Sequence, residues 1–483
     1  MIPLKTANLI ESMRRIAILI LLAFPIAAAD LPDDPNVKGA ERFFSSWMNG
    51  QIAYRNLPGV AVGVVYDQQL VWAQGFGFAD VDAKIPMTPS TKFRMASHSK
   101  LFTATAIMQL RDAGKIHLDD AVATYLPWFQ IRPANQDDPA ITIEELLTHS
   151  AGLPREAGPH WSELSFPDAK GVQQFVTSHQ AAFAPEVRWK YSNLGFTIAG
   201  MVVEKISGET WATYIQEHIF NPLGMTSSSV DRQVEGLATG YGVRMPDGSR
   251  AKMPFVDARA MGAATGITST VEDMAKFVSS QFAPGSPDAK QILSTGALRQ
   301  MHRVRMLEND WKSGNAIGFA VSRDGDKIYV GHGGSYFGYK TQTLMQMDPK
   351  VGVIVLTNSD DGNPRDLAVH LMQSVGEAVI KASHVAPVMV SWDPSWSRFA
   401  GKYRSRIGGE VEVVDINQRL VVIDPSGPFP EHPNRLEPLG NGLFRLDAPS
   451  GGAPVGETVR FAEENGHVVR MYTGSSYSDR VKD

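Results

Sequence analysis

Ser97 and Lys100 stand three residues apart in Phe93-Arg94-Met95-Ala96-Ser97-His98-Ser99-Lys100-Leu101-Phe102-Thr103. A serine hydroxyl attacks a carbonyl poorly unless a base removes its proton, and a partly desolvated lysine can be neutral enough to serve. Leu101, Ala104, Ile107, Met108 and Leu110 recur at helical spacing, and Gly114 closes the run. Ser97 is therefore expected at a helix start, with Lys100 one turn on and on the same face. The positive end of the helix dipole would favour an oxyanion beside Ser97. The competing reading has no chemistry: a serine near an N-cap, with an exposed lysine one turn later.

Two other stretches offer complementary groups. Tyr191-Ser192-Asn193 precedes an apolar helical run from Phe196 to Ile206. A tyrosine near a lysine can relay a proton, and an amide such as Asn193 can hold Lys100 or a substrate. His332-Gly333-Gly334-Ser335 follows a strand-like segment, where paired glycines let a substrate backbone approach an edge. Tyr54-Arg55-Asn56 repeats the Tyr-x-Asn pattern but precedes Ser97 and has no suitable helix after it. His149 reads as a histidine that ties a loop by hydrogen bonds. There is no Gly-x-Ser-x-Gly elbow.

These residues need a frame. A helix is expected over 39–52. Val60–Tyr66 and Leu70–Gly75 read as a hairpin turning through Asp67-Gln68-Gln69. Residues 115–300 read as mainly helical and loop-rich, with a helix over 271–282 capped by Thr270. Strands over 327–331, 340–347 and 351–357 form an antiparallel meander, and a helix over 365–380 closes the unit. Strands from both ends of this unit flanking a helical block predict one α/β layer with a helical insertion. Two close prolines mark 384–395 as a linker, and 396–483 reads as a small all-β domain.

At 483 residues the chain exceeds one domain, and its 43% hydrophobic and 20% charged content fits a globular protein. A net charge of -5 with no basic block argues against nucleic acid as a partner. Arg14 and Arg15 lead an apolar stretch ending in Ala27-x-Ala29, which predicts a signal peptide over 1–29 cleaved after Ala29. Pro25 interrupts that stretch, and it is short of the roughly 20 residues a spanning helix needs, so no stable membrane span is expected after cleavage. The mature protein is thus expected in the periplasm or secreted. The absence of cysteine excludes disulfides and a thiol nucleophile and suits an oxidising compartment. No zinc-binding spacing occurs; neither a metal nor another cofactor is expected.

In this order, Ser-x-x-Lys, Tyr-x-Asn and His-x-Gly resemble the motifs of the serine β-lactamase and penicillin-binding superfamily. The nearest groups are class C β-lactamases, family VIII esterases, D-aminopeptidases and CubicO-type serine hydrolases. Leu57–Val64, Leu146–Pro154, Asn221–Met225 and Gly331–Ser335 look like family blocks, and the likeness runs over about residues 38–382. It implies a β-lactamase-like antiparallel sheet flanked by helices with a helical subdomain, over residues 30–383. The C-terminal β domain is similar to lipocalin-like appendages of some relatives.

By that resemblance Ser97 is a nucleophile forming an acyl-enzyme, and Lys100 and Tyr191 share the proton transfers. Asn193 would position Lys100 and the substrate amide, and the N–H groups of Ser97 and Ser335, beside Gly333 and Gly334, would form an oxyanion hole. The implied substrate is a small-molecule ester or peptide-like amide. A D-amino-acid peptidase, a weak β-lactamase, or an acyl-trapping or peptidoglycan-binding protein without turnover are the alternatives. Trp161, Tyr336, Phe337 and Tyr339 read either as the lining of an apolar acyl pocket or as core. One departure stands out: His332 occupies the place where β-lactamases usually carry a carboxylate-binding lysine. Because free imidazole titrates near about 6.5 and is mostly neutral at pH 7, a fixed cation for a substrate carboxylate is missing there.

Overall fold

A computed structural model describes residues 31–230, 233–282, 290–383, 392–407, 409–425, 434–448 and 455–481. The leader read over 1–29 and residues 384–391 of the expected linker lie outside them. The chain divides into two compact units at residues 384 and 385.

The first unit is built on a nine-stranded sheet. After helix α1 (Pro35–Arg55), strands β1 (Gly59–Tyr66) and β2 (Gln69–Asp80) form the expected hairpin, with a shorter turn and a longer second strand. Strands β3 (Ala320–Asp324), β4 (Lys327–Tyr336), β5 (Tyr339–Gln346) and β6 (Val351–Thr357) form the meander. The two segments join where β1 lies antiparallel to β6, from Val60 opposite Thr357 to Tyr66 opposite Val351.

The apolar residues of β1 and β6 explain the layering. Successive strand side chains alternate between faces. Val60, Val62, Val64, Val351, Val353 and Val355 join the core beneath α1. Ala61, Val65, Ile354 and Leu356 face the opposite core, with the helical block. Both faces are covered, so these strands read as continuous apolar runs.

Helix α2 (Ser99–Asp112) lies within the second core, with every residue from Ser99 to Met108 buried. The other helices that matter for the site are α3 (Ile143–Thr148), α4 (Asn193–Ser207) and α5 (Val271–Gln281). Thr142 and Glu145 form a capping box at α3, and Thr270 caps α5 as expected. Helix α6 (Pro364–Leu371) starts the C-terminal helical stretch, which passes through a π-turn at Met372–Gly376 before Glu377–Ser383. No helix among the described residues is long and apolar enough to cross a membrane.

The second unit is a closed antiparallel barrel of eight strands, from Gly401–Arg404 to Ser476–Arg480. Its centre is filled by aromatic rings: Phe399 stacks on Phe461 at 4.3 Å, and Trp396, Tyr403 and Phe444 pack around them. Trp392, at the end of the stretch read as linker, packs against this core.

Candidate active site

The turn before α2 carries Ser97. Ala96–His98 forms a 3₁₀ turn, so Ser97 sits just ahead of the α-helix. Ala96 takes a left-handed backbone conformation, φ 51°, uncommon for a residue with a Cβ. The surroundings hold it there: Met95 N–H donates to Ile267 O at 2.8 Å, and Ser99 Oγ donates to Ala96 O at 2.7 Å while accepting from Ile267 N–H.

Lys100 follows one turn later and is wholly buried, which removes the exposed-lysine reading. Its Nζ reaches Ser97 Oγ at 3.1 Å, Asn193 Oδ1 at 2.7 Å and Ala264 O at 2.9 Å. Burial lowers its pKa to about 7; the Glu156 carboxylate opposes this and the Arg155 guanidinium adds to it. Two of the three partners can only accept. A neutral lysine therefore spends both N–H bonds on Asn193 and Ala264 and turns its lone pair toward Ser97.

Tyr191 O–H donates to Ser97 Oγ at 2.7 Å from the other side. Burial raises its pKa, so the phenol keeps its proton near neutral pH. His149 holds this segment in place, as expected of a structural histidine. Its ring packs on Tyr191 at 4.3 Å, Nδ1 accepts from Ser192 N–H at 3.1 Å, and its carbonyl accepts from Lys190 N–H. Burial keeps the ring neutral. Asn193 begins α4, where Ser192 Oγ caps the helix by accepting from Gly195 N–H.

Strand β4 does not stop at Gly331 as expected but runs on through His332, Gly333, Gly334 and Ser335 to Tyr336. β3 leaves it at Gly331, so residues 332–336 keep β5 on one side and, among the described residues, have no partner strand on the other. Gly334 also has a packing reason of its own. A Cβ on Gly334 would lie 2.3 Å from Thr341 Oγ1 and 2.5 Å from Met95 O, so glycine lets β4 pass against the Ser97 turn. His98 ties the same parts together, one ring nitrogen on Thr341 Oγ1 at 3.0 Å and the other on Thr343 Oγ1 at 3.1 Å.

Ser97, Tyr191, Asn193, His332, Gly333, Gly334 and Ser335 line one cleft of about 580 Å³, with Lys100 beneath its floor. The expected acyl-pocket aromatics divide. Trp161 lines the cleft; Tyr336 and Phe337 pack with it and Phe166 behind; Tyr339 is turned away, its hydroxyl donating to Ala238 O. Tyr54 is exposed near the end of α1 and does not line the cleft.

The expectation about charge needs correction. Burial, with the nearby Lys100, lowers the His332 pKa to about 4, so the ring is neutral at working pH. Yet Arg155, Lys340 and Arg365 all line the cleft, and Lys340 lies directly across the ladder from Ser335. Fixed cations are therefore present. Lys340 belongs to the next strand, β5, and the antiparallel register places it beside Ser335. Sequence reasoning also missed Glu156, Trp189, the Ala264 carbonyl and Arg365, none of which carries a local pattern. Among the described residues no group of acidic and histidine side chains is placed to hold a metal ion.

Residues 44–375 match the family model described as beta-lactamase. The chain belongs to the beta-lactamase family. Within it, the chain is 26% identical over 322 residues to Protein flp of Staphylococcus aureus strain COL, covering 65% of this chain and 62% of that protein. It spans, that is, somewhat less than two thirds of that relative's length. It is 26% identical over 387 residues to a D-aminopeptidase of Brucella anthropi, covering 74% of this chain and 69% of that protein. The fold matches an octameric penicillin-binding protein homologue from Pyrococcus abyssi at 24% identity, with a TM-score of 0.62 over 91% of this chain and 99% of that one. SurE superposes with a TM-score of 0.59 at 23% identity, over 92% of this chain and 100% of that one. These structures share with this beta-lactamase-family chain the sheet-and-helix unit that carries the cleft.

Proposed function

We propose that the protein is an exported serine hydrolase that transfers an acyl group from an ester or peptide-like amide to Ser97 and then to water. The observation that carries this reading is Ser97 Oγ set between a buried lysine, 3.1 Å away, and a protonated tyrosine, 2.7 Å away. Lys100, neutral in part at pH 7, takes the Ser97 proton as Oγ bonds to the carbonyl carbon. The tetrahedral oxygen is received by the backbone N–H groups of Ser97 and Ser335. Tyr191 passes a proton to the leaving group as the carbonyl reforms, recovering it from Lys100. Water then repeats the sequence on the acyl-enzyme. The leader-like residues 1–29 support export to the periplasm or medium.

A D-amino-acid peptidase is the second reading, favoured by the likeness to the Brucella D-aminopeptidase. The test is a panel of p-nitrophenyl esters, D-aminoacyl anilides and nitrocefin given to purified protein. Turnover of none of them, with no label on Ser97 after fluorophosphonate treatment, would end the hydrolase reading.

The cationic wall gives a prediction within that panel. Lys340→Ala should lower kcat/KM about tenfold for a carboxylate-bearing substrate such as nitrocefin, since a charged hydrogen bond contributes ~1.5 kcal/mol or more. Neutral p-nitrophenyl butyrate should be unaffected. Because His332 is neutral across this range, the nitrocefin preference should not strengthen as pH falls from about 8 to about 5.5, a span above the lowered histidine value. Equal losses on both substrates would show that Lys340 supports the strand and does not bind the carboxylate.

A further inference from the structure

Asn193 is an amide between two partners of opposite demand. Its Oδ1 accepts from Lys100, and its Nδ2 donates to Glu156 Oε1 at 2.6 Å. A carboxylate can only accept, so it selects the end of the amide that faces it. Flipped, the amide would point N–H at the lysine N–H groups and oxygen at the carboxylate, a mismatch at both ends.

Glu156 is itself held. The carbonyl of Arg155 accepts the N–H groups of Asn193 at 2.8 Å and Leu194 at 3.2 Å, and Ser192 Oγ donates to Pro154 O at 2.7 Å. The segment 154–156 is thereby clamped on the start of α4. Arg155 Nε also pairs with Glu156 Oε1 at 3.2 Å. The other carboxylate oxygen, Oε2, is buried with no hydrogen-bond partner among the described residues.

We propose that Glu156 is a positioning residue for the nucleophile: it fixes the Asn193 amide so that Oδ1 faces Lys100, and thereby aims the lysine lone pair at Ser97. This rests on the reading of Lys100 as the base. The other groups facing Lys100 do not replace Glu156. His149 and His332 are neutral, as is His98 beneath them, and Tyr191 keeps its proton. The charges acting on Lys100 are the Glu156 carboxylate and the Arg155 guanidinium. Glu156 therefore also holds the lysine pKa up against burial.

The test compares wild type, Glu156→Ala and Glu156→Gln, all checked for unchanged thermal unfolding. It follows the rate of fluorophosphonate labelling at Ser97 and the kcat and KM for p-nitrophenyl butyrate across the pH range around the lysine value of about 7. Glu156→Ala frees the amide, and kcat should fall by up to about a hundredfold, the cost of a small misplacement, with KM nearly unchanged. Glu156→Gln keeps an acceptor for Asn193 and fits the same space, so it should recover most of kcat above the lysine pKa. Its acid limb should move to lower pH, because loss of a neighbouring negative charge favours neutral lysine. A kcat within about twofold of wild type in Glu156→Ala, a change within ordinary surface-substitution effects, would overturn the proposal. So would Glu156→Gln with no recovery over alanine or with an unmoved acid limb. Wild type that takes no label at Ser97 would instead overturn the hydrolase reading, and the role of Glu156 with it.

Discussion

Ser97→Ala should reduce turnover by several powers of ten, the loss typical when a serine nucleophile is removed. No neighbouring hydroxyl can take its place. Ser99, two residues on, is buried with Oγ committed to Ala96 O and Ile267 N–H. Ser192 Oγ is committed to Pro154 O and Gly195 N–H. Ser335 lines the cleft but does not share the Lys100 and Tyr191 hydrogen bonds that meet at Ser97. Residual activity in Ser97→Ala would come from substrate binding and oxyanion stabilisation alone. Peptide mapping after fluorophosphonate treatment should find the adduct on Ser97 in the wild type and nowhere in the variant. An adduct on Ser335, or a variant that keeps its rate, would move the nucleophile elsewhere.

Lys100→Ala should cost about two to four powers of ten, the range for a positioned general base, and Tyr191→Phe should also slow the reaction severely. The two losses should not multiply. Both groups reach the same oxygen, so once one is gone the other has no complete route for the proton. The pH profile separates their parts. The active lysine is the neutral form; with its pKa lowered to about 7, wild-type kcat/KM should fall as pH drops through that value and level off above it. Tyr191→Phe should retain this acid limb. Lys100→Ala should lose it. Strictly multiplicative losses, or an acid limb that survives removal of Lys100, would assign the base to another residue.

The sequence placed the motifs well because the signals it used are local. Leu101, Ala104 and Ile107 define one helix face over neighbouring turns, which sets Lys100 in the first turn of α2, with Ser97 in the 3₁₀ turn just ahead of it. The apolar runs of β1 and β6 read as strands from neighbouring residues alone, and the structure buries them on both faces. Element ends were less legible. Nothing near Gly331 says that β4 continues to Tyr336; that follows from pairing with β5 and from the space Gly334 leaves beside Met95.

By itself the sequence determined much of the strand and helix order and singled out Ser97, Lys100, Tyr191, Asn193 and His332, which the fold brings to one cleft. Only the tertiary structure decided their states. Lys100 is partly neutral because distant segments close over it, and its lone pair has a direction because Ala264 and Asn193, far along the chain, take its hydrogens. His332 is neutral because it is buried beside that lysine, while the cleft's cations come from Arg155, Lys340 and Arg365 on three other segments. The physical reason is one of range. Periodicity and turn chemistry act between neighbours in sequence, whereas desolvation and charge act between neighbours in space.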